Sequence, residues 1–289
     1  MAEPSGDDPA LLVPIVNEQT ATRQLDTAID LARDRDARIH LLFVLEVPSQ
    51  LSLADGRRYL LEDEHQTLVA DAAERVAAHD VPVEEHVRMA RGVARGIVGA
   101  ASEYDVDEIL LGWRGRPPRE QIVLGNHVDA VLQSAPCDVL VRRIKTETPT
   151  IGSILVGVAG GPHGTYAADV AASIARERDA SVTLAHVHDP GDGDLEYGEA
   201  EALLVRTAER FDGVDHVERE VVSRSSISSA LTDLSADHDL TVLGVSEGGL
   251  IRRRLLGTVS NAVGRHAAGT VILAKRRDPV PSRLRRLLS

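Results

Sequence analysis

The chain of 289 residues is 43% hydrophobic and 27% charged, which is typical of a globular protein long enough for two domains. Its formal net charge of −13 argues against broad nucleic-acid binding, because that function usually requires a basic surface. No apolar run approaches the roughly 18–20 residues that span a bilayer, and the acidic, polar segment from Met1 to Pro9 lacks the pattern of a signal peptide. We therefore expect a soluble, cytoplasmic protein.

The basic residues are almost all arginine, since Lys145 and Lys275 are the two lysines among 32 basic residues. An acidic, arginine-rich chain resembles the proteins of salt-accumulating archaea, in which molar salt shortens the screening length to ~3 Å and mutes carboxylate repulsion. The composition suggests a haloarchaeal source, although a GC-rich genome would give the same bias. Cys137 is the single cysteine, so an internal disulfide is excluded, and its apolar surroundings predict a buried thiol.

Apolar strands alternate with amphipathic helices in two successive copies of one pattern. In copy one, strands are predicted at 11–16, 38–47, 83–87 and 137–142, and helices at 20–35, 62–79 and 93–103. In copy two, strands are predicted at 154–159, 181–188, 217–222 and 270–275, and helices at 163–178, 195–211 and 227–236. A further strand ends near Gly112 in copy one and near Gly244 in copy two. This alternation predicts an α/β fold with two doubly wound, mainly parallel sheets.

The internal match is closest at the end of each copy. Gly112 and Gly244 are 132 residues apart, as are Gly125 and Gly257, whereas the first strands are offset by 143. Copy two is therefore 11 residues shorter, and the gap falls around the second helix. We predict domains at 9–145 and 153–277, a linker at 146–152 and a tail at 278–289.

A glycine pattern follows the fourth strand of each copy. It reads Gly112-x2-Gly115-x9-Gly125-Asn126 in copy one, and Gly244-x2-Glu247-x9-Gly257-Thr258 in copy two, with Ser260 close by. With these motifs each copy resembles the universal stress protein family, whose nucleotide-binding members carry G-x2-G-x9-G-[ST]. The resemblance implies a five-stranded, adenine nucleotide alpha hydrolase-like sheet in the order 3-2-1-4-5.

The resemblance also implies an adenine nucleotide, ATP or AMP, as the ligand. The candidate binding residues are Gly112, Gly115, Gly125, Asn126, Gly244, Gly257, Thr258 and Ser260. Glycine at a strand end lets the backbone approach a ligand, and the helix that follows offers free N–H groups to phosphate oxygens.

Four positions depart from the family pattern, and one of them is Asn126, which stands where the glycine pattern ends in Ser or Thr. The aspartate that usually ends the first strand is replaced by Val16 and Ala159, and Glu247 replaces the middle glycine of copy two. The alternative hypothesis is therefore an interaction module that binds no nucleotide and regulates a partner. Copy two also resembles stress-protein domains fused to some amino-acid transporters, so a transporter is the suggested partner.

Family members usually dimerise through the fifth strand. Because the two copies are tethered, we expect the strands at 137–142 and 270–275 to pair with each other as an internal pseudo-dimer. A homodimer of whole chains remains open.

The sequence contains no recognisable catalytic set, since it has no GxSxG elbow set directly between a strand and a helix, no GK[ST] phosphate loop and no HExxH. We expect a binding protein rather than an enzyme, with slow ATP hydrolysis as the most that the pattern allows. His186 and His188 alternate on a strand beside Asp189, which is too few ligands to indicate a metal site. We therefore predict no bound metal.

Overall fold

The computed structural model describes residues 8–113, 126–144, 150–189, 196–245 and 258–277. Within these ranges the chain forms two successive copies of one α/β unit. Copy one contains β1 (Ala10–Ile15), α1 (Glu18–Asp34), β2 (Arg38–Glu46), α2 (Leu53–Leu60), α3 (Asp63–Ala77), β3 (Val83–Ala90), α4 (Val93–Glu103), β4 (Glu108–Trp113), α5 (Asn126–Ser134) and β5 (Asp138–Arg143). Copy two contains β6 (Ser153–Gly157), α6 (Gly161–Arg178), β7 (Ser181–His188), α7 (Tyr197–Ala208), β8 (Val217–Ser223), α8 (Ile227–Leu234), β9 (Leu240–Gly244), α9 (Thr258–His266) and β10 (Thr270–Lys275).

The ten strands form one continuous sheet in the order β3-β2-β1-β4-β5-β10-β9-β6-β7-β8. The strand order within each copy is the predicted 3-2-1-4-5, and all strand pairs within a copy are parallel. The direction of winding reverses between β1 and β4 in copy one, and between β6 and β9 in copy two. These two points are the places where a doubly wound sheet opens a crevice for a ligand.

Helices cover both faces of the sheet, which explains why β1 is apolar along its whole length. In β1, Leu11, Val13 and Ile15 belong to one core cluster, whereas Ala10 and Leu12 belong to the other. Alternate residues of a strand point to opposite faces, so a strand buried on both sides has no polar face. None of the described helices is long and apolar enough to cross a membrane.

The two copies join at their fifth strands, as the sequence predicts. β5 and β10 pair antiparallel, with Val141 opposite Leu273, and this is the single antiparallel junction among the described strands. The helices α1 and α6 lie side by side across the junction and share one apolar cluster. An ion pair from Arg176 to Asp34, at 2.6 Å, supports that contact. Cys137 lies beside the junction and is buried, which confirms the prediction for its thiol.

The region of the second helix differs from the prediction. Copy one has two helices there, α2 and α3, where one was expected, and α2 accounts for the greater length of copy one. Gly56 on α2 packs directly over Val47, because a Cβ at this glycine would lie 2.4 Å from a Val47 methyl group. Copy two has α7 followed by a short 3-10 turn, Glu209–Phe211.

Candidate functional site

The crevices at the two winding reversals are the candidate ligand sites. β4 ends at Trp113, one residue after Gly112, and β9 ends at Gly244. Both glycines therefore stand at the carboxyl end of the fourth strand of their copy, as the sequence predicts.

Gly244 is also required by the packing of the first helix of copy two, whereas the atoms nearest to Gly112 are the ends of flexible side chains. A Cβ at Gly244 would lie 2.6 Å from the backbone nitrogen of Gly164, on α6. A Cβ at Gly112 would lie 2.3 Å from the Ile144 side chain and 2.8 Å from Oε1 of Gln24. Gly244 therefore has a structural cause of its own, and the case for a ligand depends on what surrounds each glycine.

In copy two, the first turns of α6 and α9 both meet at Gly244. The backbone of α6 contacts Gly244 at His163 and Gly164, and the Ser260 hydroxyl in α9 donates to the Gly244 carbonyl at 3.1 Å. Neither helix has an acidic residue in its first turn. No first-turn carboxylate therefore offsets the partial positive charge that the N-terminal N–H groups of these two helices carry.

The start of α6 is formed by bare backbone. Gly160 and Gly161 have φ angles of 76° and 71°, in the left-handed region, and no side chain caps the helix. A Cβ at Gly161 or Gly164 would meet no atom within 4 Å. Among the described residues, none therefore covers these two positions of the first turn.

Two histidines hold this edge of copy two in place. Nδ1 of His163 accepts a hydrogen bond from the backbone N–H of Arg276 at 3.0 Å. His186 bonds through Nδ1 to the Val158 carbonyl at 2.8 Å. Both rings are buried, so they fix the positions of α6 and of the loop after β6. His186 thus has a structural role at the strand end.

Copy one differs from copy two at the corresponding helix starts, which carry a side-chain cap and acidic residues. Asn17 caps α1 with its own side chain, whose Oδ1 accepts from the Thr20 N–H at 3.1 Å. Glu18 lies in the first turn of α1, and Asp129 lies in the first turn of α5. Val16, at the end of β1, is 68% exposed and offers no polar group to a ligand. Each of these helices therefore carries a carboxylate in its first turn, which offsets the partial positive charge of its N-terminus.

The predicted site residues are only partly within the described chain. Asn126 and Thr258 begin α5 and α9, where the pattern predicts a helix start. Gly115, Gly125, Glu247 and Gly257 lie outside the described residues. The sequence interpretation missed Gly160, Gly161 and Gly164, although a run of glycines around Pro162 directly after a strand is a signal for such a turn.

Comparison with known proteins establishes the family. The sequence profile of the universal stress protein family matches residues 10–143 and again 150–275. The chain belongs to the universal stress protein family. A crystal structure of a universal stress protein from Archaeoglobus fulgidus superposes with a TM-score of 0.70 at 18% identity, covering 94% of this chain and 98% of that one. Half of this tandem universal stress protein, 135 residues or 45% of its length, is 28% identical to 79% of a universal stress protein from Methanocaldococcus jannaschii.

This universal stress protein is also similar to parts of transport proteins. Over 265 residues, or 91% of its length, it is 23% identical to the Na⁺/H⁺ antiporter NhaS5 of Synechocystis, of which that match spans 38%. The cytoplasmic domain of a prokaryotic cation chloride cotransporter has the same fold, with a TM-score of 0.57 at 10% identity over 92% of this chain and 95% of that domain.

A second group of polar side chains lies in copy one of this universal stress protein, away from either crevice. Among the described residues, His40, Glu84 and His86 are the one group of potential metal ligands whose atoms all lie within 4.8 Å of one another. Burial lowers the pKa of His40 and of His86, so both imidazoles are neutral at pH 7. The sequence interpretation missed this group, because His40 is 44 residues from Glu84 and only the strand register brings them together.

Proposed function

We propose that this universal stress protein is a regulatory protein that binds one adenine nucleotide, ATP or AMP, in the crevice of copy two. It acts by binding rather than by catalysis. The observation that carries the proposal is the meeting of two helix N-terminal turns at Gly244, neither with an acidic side chain. Family membership supports the adenine nucleotide as the ligand class.

The phosphate groups account for the choice of copy two. Each helix N-terminus carries about half a positive charge, and its free N–H groups donate to phosphate oxygens. In copy one, Glu18 and Asp129 oppose an anion at the same two positions. We therefore expect one nucleotide per chain rather than two.

The first experiment is calorimetric titration of the full chain with ATP and with AMP in 2 M KCl, after any co-purified nucleotide has been identified by mass spectrometry. We expect micromolar binding with a stoichiometry of one. The decisive variant is Gly164→Asp, which adds a carboxylate to the first turn of α6, where a side chain meets no neighbouring atom. Acidic residues in a first turn stabilise a helix, so the variant should fold normally and lose nucleotide binding.

Ser102→Asp is the matched control. Ser102 is exposed near the end of α4, in the other copy, so this variant carries the same added charge away from the crevice. Its affinity should equal that of the original chain. Undiminished binding by Gly164→Asp would place the nucleotide elsewhere, and a stoichiometry of two would contradict the preference for copy two.

Hydrolysis is tested on the same samples. We expect ATP to remain intact after prolonged incubation at a stoichiometric protein concentration, because none of the described residues at the crevice is positioned to activate water. Release of ADP that is lost in Gly164→Asp would instead identify a slow ATPase at the proposed site.

The second candidate function is an interaction module for a membrane transporter. It is favoured by Val16, an apolar side chain 68% exposed at the carboxyl edge of copy one, and by the similarity to NhaS5 over 91% of the chain. Absence of co-purified nucleotide and of any heat at millimolar ATP or AMP would favour this function over the first.

A further inference from the structure

We propose that His40, Glu84 and His86 form a binding site for one divalent transition-metal ion of the zinc type. Nδ1 of His40 lies 3.0 Å from Nε2 of His86. Oε2 of Glu84 lies 3.7 Å from the first nitrogen and 3.8 Å from the second. The circle through these three atoms has a radius of about 2 Å, which is close to the roughly 2.0–2.2 Å of Zn–N and Zn–O bonds.

The strand register preorganises the three ligands. His40 on β2 is directly opposite Glu84 on β3, and Leu42 is opposite His86. Glu84 and His86 are two residues apart on one strand, so they point to the same face of the sheet. Neighbouring strands lie ~4.8 Å apart, so the three side chains converge without any change in the backbone.

The surrounding residues support the ligand set. The Tyr104 ring stacks on His86, with centroids 4.1 Å apart, and on His40 at 5.4 Å, so it covers both imidazoles. Nη1 of Arg38 lies 3.8 Å from Oε1 of Glu84, which leaves Oε2 directed at the histidines. Arg38 also pairs with Asp8 at 3.2 Å, and this second carboxylate offsets its positive charge.

The donor atoms select the class of metal. Two neutral imidazoles and one carboxylate suit zinc and its neighbours in the first transition row, whereas calcium and magnesium prefer oxygen ligands throughout. The Glu84 side chain is 50% exposed, so a fourth position for water or an outside ligand is open to solvent. For the ion to bind, the proton in the hydrogen bond between the two imidazoles would move to the other ring nitrogen of the histidine that holds it, so both ligands would stay neutral.

Copy two provides an internal comparison. The register places Thr183, Glu218 and Glu220 at the corresponding positions of β7 and β8. This set lacks both imidazoles, so we expect one metal ion per chain, bound in copy one. The site is separate from the crevice of copy two, and its test is independent of nucleotide binding.

The test is titration of the tag-free full chain with Co²⁺ after chelator treatment, followed by displacement with Zn²⁺. Tetrahedral Co²⁺ absorbs in the visible range, so the spectrum reports ligand geometry as well as stoichiometry. We expect one equivalent with tetrahedral bands that Zn²⁺ abolishes. Loss of a residue that only orients a ligand weakens metal binding by roughly 10–100-fold, so Glu84→Gln and His86→Gln should each weaken it by at least about 10-fold.

His79→Gln is the control, because His79 is exposed at the end of α3 and is not part of the cluster. It should bind Co²⁺ as the original chain does. Circular dichroism reports the fold of each variant, and if His86→Gln unfolds, the exposed Glu84→Gln decides the question. The proposal is wrong if the original chain shows no tetrahedral spectrum, or if Glu84→Gln binds as tightly as the control.

Discussion

The Tyr166 hydroxyl joins the two copies through a single buried carboxyl group. Tyr166 lies on α6 of copy two and donates to Oε2 of Glu108, at the start of β4 in copy one. Arg35 donates to the same oxygen at 3.1 Å. Tyr166 and Glu108 are 3% and 6% exposed, so water cannot readily replace either partner. Burial beside Glu108 raises the pKa of Tyr166 well above its usual value.

Replacing this hydroxyl should lower the free energy of unfolding. A hydrogen bond to a charged group contributes about 1.5–3 kcal/mol, and we expect Tyr166→Phe to lose that amount at pH 7 in urea titrations. The same change at Tyr59, which is 64% exposed, should have no measurable effect. Equal effects at the two positions would show that the buried contact contributes nothing.

The raised pKa of Tyr166 gives this contribution a pH dependence. The unfolded tyrosine ionises near pH ~10, whereas the folded one stays protonated to higher pH. The stabilisation is therefore complete below about pH 10 and declines as the pH rises above it. The difference between the original chain and Tyr166→Phe should shrink above pH 10, and a constant difference up to pH 11 would contradict this explanation.

The Cys137 thiol should be inert in the folded protein. It is 8% exposed, and burial, together with the nearby Asp138 and Glu108 carboxyl groups, raises its pKa to about 12. Because the thiolate is the reactive form, we expect a disulfide reagent at pH 8 to label the native chain more than about 100-fold more slowly than the urea-unfolded chain. Comparable rates would mean that the strand edge around Cys137 opens freely.

At the scale of single elements, the last helix of each copy is bound by the last strand of the other. Arg143 of β5 donates to the carbonyls of Gly264 and Ala267 at 2.9 and 2.6 Å, and also to that of Gly269. Lys275 of β10 donates to the Leu132 carbonyl at 2.9 Å. These contacts are related by the 132-residue repeat, and both place a cation at the end of a helix, where carbonyls lack partners.

The Arg143 contacts should contribute more to the free energy of unfolding than the Lys275 contact. Removing it leaves three backbone carbonyls without their donor, so we expect Arg143→Met to lower the free energy of unfolding by roughly 2–4 kcal/mol. Lys275→Met should lose about 1–2 kcal/mol. Arg33→Met is the control, since its ion pair with Glu177 is half-exposed and such pairs contribute at most about 1 kcal/mol. The urea midpoints of the three variants measure these losses in the free energy of unfolding. A loss in Arg33→Met equal to that in Arg143→Met would contradict the role of Arg143.

Elements with a local signal were predictable from the sequence, and contacts between distant elements were not. The alternation of apolar strands and helices indicated the α/β fold, the family resemblance implied the strand order, and the tethered fifth strands indicated the junction. The helix α2 was missed because copy two offers no counterpart to align with it. The contacts from Tyr166 to Glu108 and from His40 to Glu84 depend on register across the sheet, which no local pattern contains.

At the scale of the whole molecule, the two copies pack against each other at the junction. It combines the β5–β10 strand pair, the apolar contact of α1 with α6, and ion pairs such as Arg178 with Asp30 at 2.9 Å. The one tryptophan, Trp113, is buried there against Gly264 of copy two. A Cβ added to Gly264 would lie 3.4 Å from the Trp113 ring. Its fluorescence therefore reports on the junction, and its urea transition should coincide with that of circular dichroism.

Cutting the polar segment at 145–149 should leave the two copies together. Separation would expose the β5 edge and apolar residues such as Leu31 and Ile174, which are now buried. We expect a chain with a protease site inserted there to elute after cleavage as one particle of the original 31.1 kDa, also in 2 M KCl, because apolar burial and strand pairing are insensitive to screening. Dissociation in high salt alone would show that ion pairs dominate the junction.

Adding Arg143→Met to the cleaved chain should raise the concentration at which the halves separate, since the linker no longer supplies a high effective concentration.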